Sequence, residues 1–202
     1  GRLILPQVQV IRDLLDADAL VFTVKDTGFE AAMGSLAMPP DLVICDSQVF
    51  QKIAPKVPRS VPLTSFSIIM ARAKGDLGGL LEGAKAIDLL KPHDKILIAE
   101  ACTHHPMEND IGRSQLPKKL AERAGGPLEI EVCAGKDFPE KLGKYRLILH
   151  CGGCMLTRRA YLARMRAAQR AGTPITNYGL ALGHLAGILP RVTEIFVKTE
   201  RK

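Results

Sequence analysis

Two apolar segments of this chain run directly into soft metal-binding side chains, and this arrangement limits the possible folds most strongly. Residues 146–150 form a strand-like run that ends in Cys151-Gly-Gly-Cys154, and residues 95–99 form a second run that is followed by Cys102. Side chains that follow the strands of an open α/β sheet lie at its carboxyl edge, where such sheets form their binding crevices. The sequence therefore predicts an α/β fold with a cluster of thiols at one sheet edge.

Residues 76–202 alternate between strand-like and helix-like segments. The predicted strands are residues 95–99, 128–133, 146–150 and 174–176, and the predicted helices are residues 115–124, 138–142, 155–171 and 179–189. Strands with unbroken apolar runs are typical of a parallel sheet that is covered on both faces. We therefore expect a small, mainly parallel, Rossmann-like sheet flanked by helices. No G-x-G-x-x-G follows any of these strands, so a dinucleotide ligand is not indicated.

Residues 1–75 predict a second, smaller α/β unit. Its predicted helices are residues 8–18, 29–38 and 67–74, with a further short helix after residue 47, and its predicted strands are residues 19–24, 41–45 and 62–66. Gly75, Gly78 and Gly79 indicate a junction, which divides the chain into domains at residues 1–75 and 76–202. Three short strands bury little apolar surface, so we expect the first domain to form a homodimer through its sheet edges.

Composition excludes several classes of function. No apolar run reaches the roughly 18 residues of a membrane span, so we expect a soluble protein. Five cysteines without a signal peptide indicate the reducing cytoplasm and metal ligation rather than disulfides. Most of the net charge of +7 lies in residues 76–202, but aromatic residues make up only 4% and Trp is absent. The lack of base-stacking side chains argues against a nucleic-acid partner.

The predicted metal ligands are Cys102, Cys151 and Cys154, because thiolates suit zinc and iron–sulfur clusters. His104 and His150 each lie within two residues of one of these thiols and are further candidates for the site. We expect Gly152 and Gly153 to let the backbone fold back so that both sulfurs face one centre.

The remaining cysteines and histidines are assigned structural roles. Cys45 and Cys133 lie on apolar strands without neighbouring ligand types, so both are expected to be buried core thiols. We place His93 at the surface and His184 in the core. His105 is at most a hydrogen-bond donor to the residues that bind the metal. Since a helix follows Cys154, its amino end is expected to lower the pKa of that thiol.

The helix predicted after Cys154 carries several arginines and no acidic residue between positions 155 and 171. These arginines are Arg158, Arg159, Arg164, Arg166 and Arg170. They form either a solvated face or a basic surface that neutralises a negatively charged cluster or contacts an acidic partner.

Cys102-Thr-His104 together with His150-Cys151-Gly-Gly-Cys154 resembles the iron–sulfur signature of the (FeFe)-hydrogenase maturation scaffold, the HydF family. Asp110-Ile-Gly-Arg113, Thr176-Asn-Tyr-Gly179 and residues 5–15 are similar to that family as well. Members of the family normally begin with a GTPase domain, but no G-x-x-x-x-G-K-[ST] phosphate loop occurs in this sequence. The resemblance therefore covers the dimerisation and cluster-binding portions, and we expect no enzymatic activity from this chain.

The resemblance implies a scaffold that binds a 4Fe-4S cluster and that accepts a diiron precursor and delivers it during hydrogenase assembly. Its implied partners are a second copy of the chain, the radical-SAM hydrogenase maturases and the apo-hydrogenase. Three cysteines leave one iron without a thiolate. The candidates for this fourth position are Asp110, His104, His150, water or an exogenous ligand.

Two other functions remain compatible with the sequence. In a zinc-stabilised binding module, a tetrahedral site would combine the three thiols with His104 or His150. Such a module could also bind nucleic acid. In a thiol–disulfide oxidoreductase, Cys151 and Cys154 would be the redox pair.

Overall fold

The computed structural model describes residues 3–101 and 111–197. The strands are β1 (Val43–Cys45), β2 (Leu63–Ser65), β3 (Lys95–Ala99), β4 (Glu129–Cys133), β5 (Leu147–His150) and β6 (Ile175–Asn177). The helices are α1 (Leu5–Asp16), α2 (Phe29–Ser35), α3 (Phe50–Ile53), α4 (Phe66–Lys74), α5 (Leu77–Lys85), α6 (Leu116–Ala124), α7 (Arg158–Arg170), α8 (Tyr178–Leu185) and α9 (Leu189–Val197). Within the described residues, no helix is both long enough and apolar enough to cross a membrane.

Four parallel strands form one sheet in the order β4-β3-β5-β6. The two central strands, β3 and β5, are almost completely buried because helices cover both faces of the sheet. This confirms the predicted α/β class and the parallel sheet. The strand order reverses between β3 and β5, so a crevice opens beyond their carboxyl ends. Ala99 pairs with His150 at this end, one residue before Cys151.

The amino-terminal part contains a sheet of two parallel strands, β1 and β2. The predicted strand at residues 19–24 is wrong, since this segment has no strand assignment and no neighbouring strand among the described residues. The alternating apolar side chains of this segment, Leu20, Phe22 and Val24, are all exposed to solvent. A strand needs a partner for its backbone groups, and the described part of the chain does not provide one.

Helix α1 packs against α4 through a short inner face. Gln7 and Val10 are buried, and the Gln7 amide donates a hydrogen bond of 2.8 Å to Asp46 after β1. The opposite face of α1 leaves Val8 and Leu15 exposed. The helix predicted from residue 8 to residue 18 is thus present, and it begins earlier because Pro6 fits the first turn.

Two predicted helices differ from those found. The helix expected at residues 138–142 is irregular, since five residues that include Pro139 cannot nucleate a stable turn. The helix expected at residues 179–189 is divided into α8 and α9. Gly187 adopts a positive φ of 69° after α8, and Pro190 begins the next helix rather than ending the previous one.

Helix α5 was not predicted, and Gly78 and Gly79, assigned to a junction, lie in its first turn. The glycine content of α5 has a packing reason. A Cβ on Gly83 would overlap the Ile175 carbonyl, so the helix crosses β6 at a distance that only glycine permits.

The Thr176-Asn-Tyr-Gly179 segment contacts the start of α4. The Asn177 side chain donates to the Ser67 carbonyl at 2.8 Å and accepts from the Leu180 N–H at 2.9 Å. Asn177 thus caps α8 and holds the start of α4. A Cβ on Gly179 would lie 2.7 Å from the Ser67 Cβ, so glycine is required for this approach.

Candidate metal centre

The cysteine loop at residues 151–154 lies at the carboxyl end of β5, beside the end of β3. The Cys151 N–H continues the strand ladder by donating to the Ala99 carbonyl at 2.9 Å. Its sulfur accepts the backbone N–H of Ala101 at 3.1 Å. An N–H donor aimed at sulfur favours the thiolate form, which is the form that binds metals. Cys151 and Cys154 are both half-buried.

Cys102, His104, His105 and Asp110 lie outside the described residues. An ion pair links the chain segments on either side of residues 102–110. In it, the Arg113 guanidinium binds both carboxylate oxygens of Glu100, with one distance of 2.6 Å. Among the described residues, no group of three His, Cys, Asp or Glu side chains is arranged to hold a metal ion. The described part of the chain therefore contributes two of the three expected thiols.

The two glycines of the loop have different roles. Gly153 has a positive φ of 65°, and a Cβ at this position would lie 2.5 Å from the Tyr161 ring. Gly152 has no such requirement, since its nearest neighbour would be the Met70 Cβ at 3.8 Å. Gly153 therefore requires glycine both for its backbone conformation and for space, whereas no contact of Gly152 requires it.

The sequence predicts that the amino end of the following helix lowers the pKa of Cys154, and this prediction is wrong. The helix begins only at Arg158, because the Thr157 hydroxyl accepts the Ala160 N–H at 3.2 Å and caps it. Burial raises the pKa of Cys154, and this effect exceeds the lowering by backbone N–H groups and by Lys74. The thiol is therefore held neutral unless a cation replaces its proton.

The loop also rests on the end of α4. Lys74 donates to the Leu156 carbonyl at 2.8 Å, and Arg158 donates to the Ala73 carbonyl at the same distance. Each of these side chains thus satisfies a backbone carbonyl, that of Leu156 or that of Ala73. Together they place two positive charges at the rim of the loop.

His150 is completely buried under the cysteine loop, and both of its ring nitrogens are engaged. Its Nδ1 lies 2.7 Å from the Cys151 carbonyl oxygen, which only accepts, so Nδ1 carries the proton. Its Nε2 then accepts from Arg164 at 3.0 Å. Burial lowers the pKa of His150 to about 4, so the ring is neutral at pH 7. In this arrangement neither nitrogen offers a lone pair to a metal.

Arg164 is the one arginine of α7 that turns inward to His150. It also donates to the Gly135 carbonyl and lies over the Phe138 ring, with 4.9 Å between guanidinium carbon and ring centroid. Arg159, Arg166 and Arg170 remain exposed. The helix therefore combines the two alternatives considered for its arginines, a solvated face and a charge close to the thiol loop.

Tyr161 fills the space beneath the loop. The residue is completely buried, and its ring centroid lies 4.5 Å from that of His150. Its hydroxyl has no hydrogen-bond partner among the described residues. Leaving a buried hydroxyl unpaired costs about 1–3 kcal/mol, and the hydroxyls of Thr64 and Thr176 are buried without a partner among the described residues in the same way.

Cys45 and Cys133 are only partly buried, although both pack against the core. Burial raises the pKa of Cys45 to about 12, and burial also raises the pKa of Cys133. Cys133 ends β4, which is an edge strand. His93 is exposed with a positive φ of 68°. His184 is only half-buried and lies 2.9 Å from Asp88, so its placement in the core is wrong.

The donor set fits a thiolate-bound metal or cluster. Cys151 and Cys154 lie on one reversed loop, one sulfur already accepts an N–H, and basic side chains surround the loop. Sequence reasoning did not identify the Ala101 N–H, the Lys74 contact or the Tyr161 hydroxyl. These features depend on which atoms approach the loop in space, and no local sequence pattern encodes them.

Two family models match the chain, one over each of its two parts. A family model described as the Hydrogen maturase F tetramerization domain matches residues 78–195. A second, described as the Hydrogen maturase F dimerization domain, matches residues 1–75. Neither description names a catalytic activity. No curated protein matches the chain.

The two loop glycines provide a matched test of the geometry. We expect Gly153→Ala to lower the thermal unfolding midpoint of the metal-free protein, because the positive φ alone costs about 1–2 kcal/mol and the new methyl meets Tyr161. Gly152→Ala should unfold close to the wild type, since its methyl makes an ordinary contact with Met70. Circular dichroism melts of both variants make the comparison, and equal midpoints would contradict the assigned role of Gly153.

Proposed function

Because the chain belongs to the hydrogen maturase F family, we propose that it is a scaffold and carrier in (FeFe)-hydrogenase maturation. In this proposal Cys102, Cys151 and Cys154 bind a 4Fe-4S cluster, through which the chain accepts a diiron precursor and delivers it to the apo-hydrogenase. The radical-SAM maturases are the proposed donors of the precursor, and the reducing cytoplasm is the proposed location.

The observation that carries this proposal is the position of the cysteine loop. Cys151 directly follows β5 at the point where the strand order reverses, and Ala99 of β3 accepts its N–H. Cys102 follows β3 by three residues in the sequence. In this proposal, ligands that follow β3 and β5 would approach one crevice, which suits a cofactor that needs ligands from separate segments.

The residues around the loop support cluster binding in distinct ways. The Ala101 N–H stabilises the Cys151 thiolate, and Lys74 and Arg158 add positive charge at the rim. Gly153 and Tyr161 hold the loop in its reversed shape. When bound, the cluster would supply an iron whose fourth ligand is not a cysteine and is therefore open to exchange.

His150 is proposed to support the loop rather than to ligate. Its Nδ1–H holds the Cys151 carbonyl, and its Nε2 is occupied by Arg164. Ligation through Nε2 would have to displace this half-buried guanidinium. We therefore assign the exchangeable fourth position to His104 or Asp110, whose imidazole or carboxylate binds iron less firmly than a thiolate does.

The alternatives receive less support from the same contacts. A zinc site that uses His150 conflicts with the engagement of both ring nitrogens, so a zinc module would need His104. The low-pKa thiol of a redox pair typically lies at the amino end of a helix, whereas α7 begins only at Arg158, after the cysteine loop.

Residues 1–75 are proposed to form the homodimer, as the description of the matched family model suggests. Leu20, Phe22 and Val24 are exposed on an extended segment whose backbone lacks a strand partner among the described residues. Val8 and Leu15 on α1 are further exposed apolar side chains of the same part of the chain. A second copy that pairs with the segment would bury the side chains and satisfy the backbone groups together.

The first test of the function is anaerobic reconstitution with ferrous iron and sulfide. We expect about four irons per chain, a brown protein and the spin-resonance signal of a reduced cluster. Cys151→Ser and Cys154→Ser should lose most of the iron, whereas Cys45→Ser and Cys133→Ser serve as controls and should retain it. A wild-type protein that binds one zinc tightly and takes up no iron and sulfide would contradict the scaffold function and favour the zinc module.

The second test concerns the fourth position. Asp110→Ala and His104→Ala should each keep most of the iron, and at least one should alter the spin-resonance spectrum or its response to imidazole. His150→Gln should keep the parent spectrum but destabilise the metal-free protein by about 1 kcal/mol or more, because it disturbs two buried hydrogen bonds. If only His150→Gln changes the imidazole response, His150 is the ligand and our assignment is wrong.

The third test addresses the dimer. Phe22→Asp should place a charge in the proposed interface and yield monomers, measured by light scattering on the metal-free protein at tens of micromolar. Leu89→Asp is the control, because Leu89 is similarly exposed but lies in residues 78–195, and this variant should remain at least dimeric. A wild-type monomer, or a Phe22→Asp variant that stays dimeric, would rule out this interface.

A further inference from the structure

The chain on either side of residues 102–110 is fixed by contacts with the sheet and with the cysteine loop. On the amino-terminal side, Glu100 donates its N–H to the Cys133 carbonyl at the end of β4, at 2.9 Å. The next residue, Ala101, donates its N–H to the Cys151 sulfur at 3.1 Å. The chain is therefore held against β4 and against a predicted metal ligand one residue before Cys102.

On the carboxyl-terminal side, residues 111–113 pack against the segment that follows β6. Gly112 is buried, and a Cβ at this position would overlap the Tyr178 hydroxyl. Glycine is therefore required for this close approach. Since Tyr178 belongs to the Thr176-Asn-Tyr-Gly179 segment, the two motifs that carry no thiol meet at this point.

A two-point ion pair joins the two sides. The Arg113 Nε lies 3.1 Å from one carboxylate oxygen of Glu100, and its Nη2 lies 2.6 Å from the other. The Glu100 side chain is only 12% exposed. Exposed ion pairs with a single contact contribute little, whereas a guanidinium that binds both oxygens of a largely buried carboxylate gives a directed contact. Because both oxygens are engaged, Glu100 does not offer a free carboxylate to a metal.

The ion pair shortens the range over which the Cys102 thiol can be placed. Glu100 and Arg113 are 13 positions apart, and joining the ends of a chain segment of this length removes most of its extended arrangements. The joined ends lie beside Cys151, because Ala101 bonds to its sulfur. Fixing them there raises the effective concentration of one thiol at the other.

We propose that Glu100 and Arg113 are positioning residues, whose ion pair fixes the ends of the Cys102 segment so that its thiol joins Cys151 and Cys154 at one metal centre. This inference rests on the proposed cluster-binding function. Neither residue ligates the metal, and both act through the chain that they hold. The Asp110-Ile-Gly-Arg113 motif thereby gains a role for its glycine, which allows the approach to Tyr178, and for its arginine.

The first measurement uses the metal-free protein, so it does not depend on cluster uptake. When Cys45, Cys133 and Cys154 are replaced by Ser, only Cys102 and Cys151 remain, and dibromobimane becomes fluorescent only when it bridges two thiols. We expect Glu100→Gln and Arg113→Gln each to lower the bridging rate about fivefold, as for loss of one ion pair. The double variant should lose no more than either single variant, because both changes break the same interaction.

The second measurement is the rate at which a ferrous chelator removes iron from the anaerobically reconstituted chain. Arg113→Gln should lose iron about fivefold faster than the parent and keep the parent spin-resonance spectrum, since no ligand is changed. Asp16→Asn is the matched control, because the Arg12 Nε also binds both carboxylate oxygens of Asp16, at 2.7 and 2.9 Å, but within α1. This variant should leave the bridging rate and the rate of iron loss unchanged.

The possible results separate the positioning role from cluster binding. An unchanged bridging rate or rate of iron loss in Arg113→Gln, or effects that add in the double variant, overturns the positioning pair and leaves cluster binding intact. A spin-resonance spectrum that changes in Glu100→Gln alone makes Glu100 a ligand and also overturns it. Metal-free Arg113→Gln that melts several degrees below Asp16→Asn would show that the pair supports the whole fold instead. A wild type that takes up no iron and sulfide overturns the proposed function, whereas the bridging rate still decides whether the pair brings the two thiols together.

Discussion

The site depends on the parallel pairing of β3 and β5. The register sets Ala99 beside His150, and the next residue on one strand, Cys151, donates its N–H back to the other. Both strands therefore end at the same level, and the segments that follow them face one crevice. A shift of this pairing by one residue would turn His150 out of its buried place and move the cysteine loop away from the Ala101 N–H.

Around this pairing, the buried polar groups form a connected arrangement that shapes the loop. Arg164 holds His150, and His150 holds the Cys151 carbonyl. Because each group satisfies the next, the imidazole and the half-buried guanidinium are accommodated without a carboxylate partner. Tyr161 beneath the loop and Thr176 on β6 each keep a buried hydroxyl without a partner among the described residues. The polar contacts thus support the loop without satisfying every buried group.

The amino-terminal part contributes to the site as well as to the proposed dimer. Lys74 and the end of α4 hold the cysteine loop, and Asn177 and Gly179 pack on Ser67 at the start of the same helix. A dimer contact made by residues 1–75 would therefore be connected to the cysteine loop through α4. The apolar segment at residues 19–24 lies in the same part of the chain, so a dimer contact and the metal centre would share one small scaffold.

The sequence by itself determined the elements whose signals are local. Unbroken apolar runs gave β3 and β5, and the thiols after them located the crevice, because a buried parallel strand must be apolar on both faces. Only the tertiary structure decided the rest. Residues 19–24 alternate like a strand, but strand formation requires a partner that lies elsewhere. His150 resembles a ligand in the sequence, whereas Arg164, fourteen positions away, occupies its lone pair. The pKa of Cys154 and the missing partner of Tyr161 likewise follow from burial, which arises only when distant segments pack together.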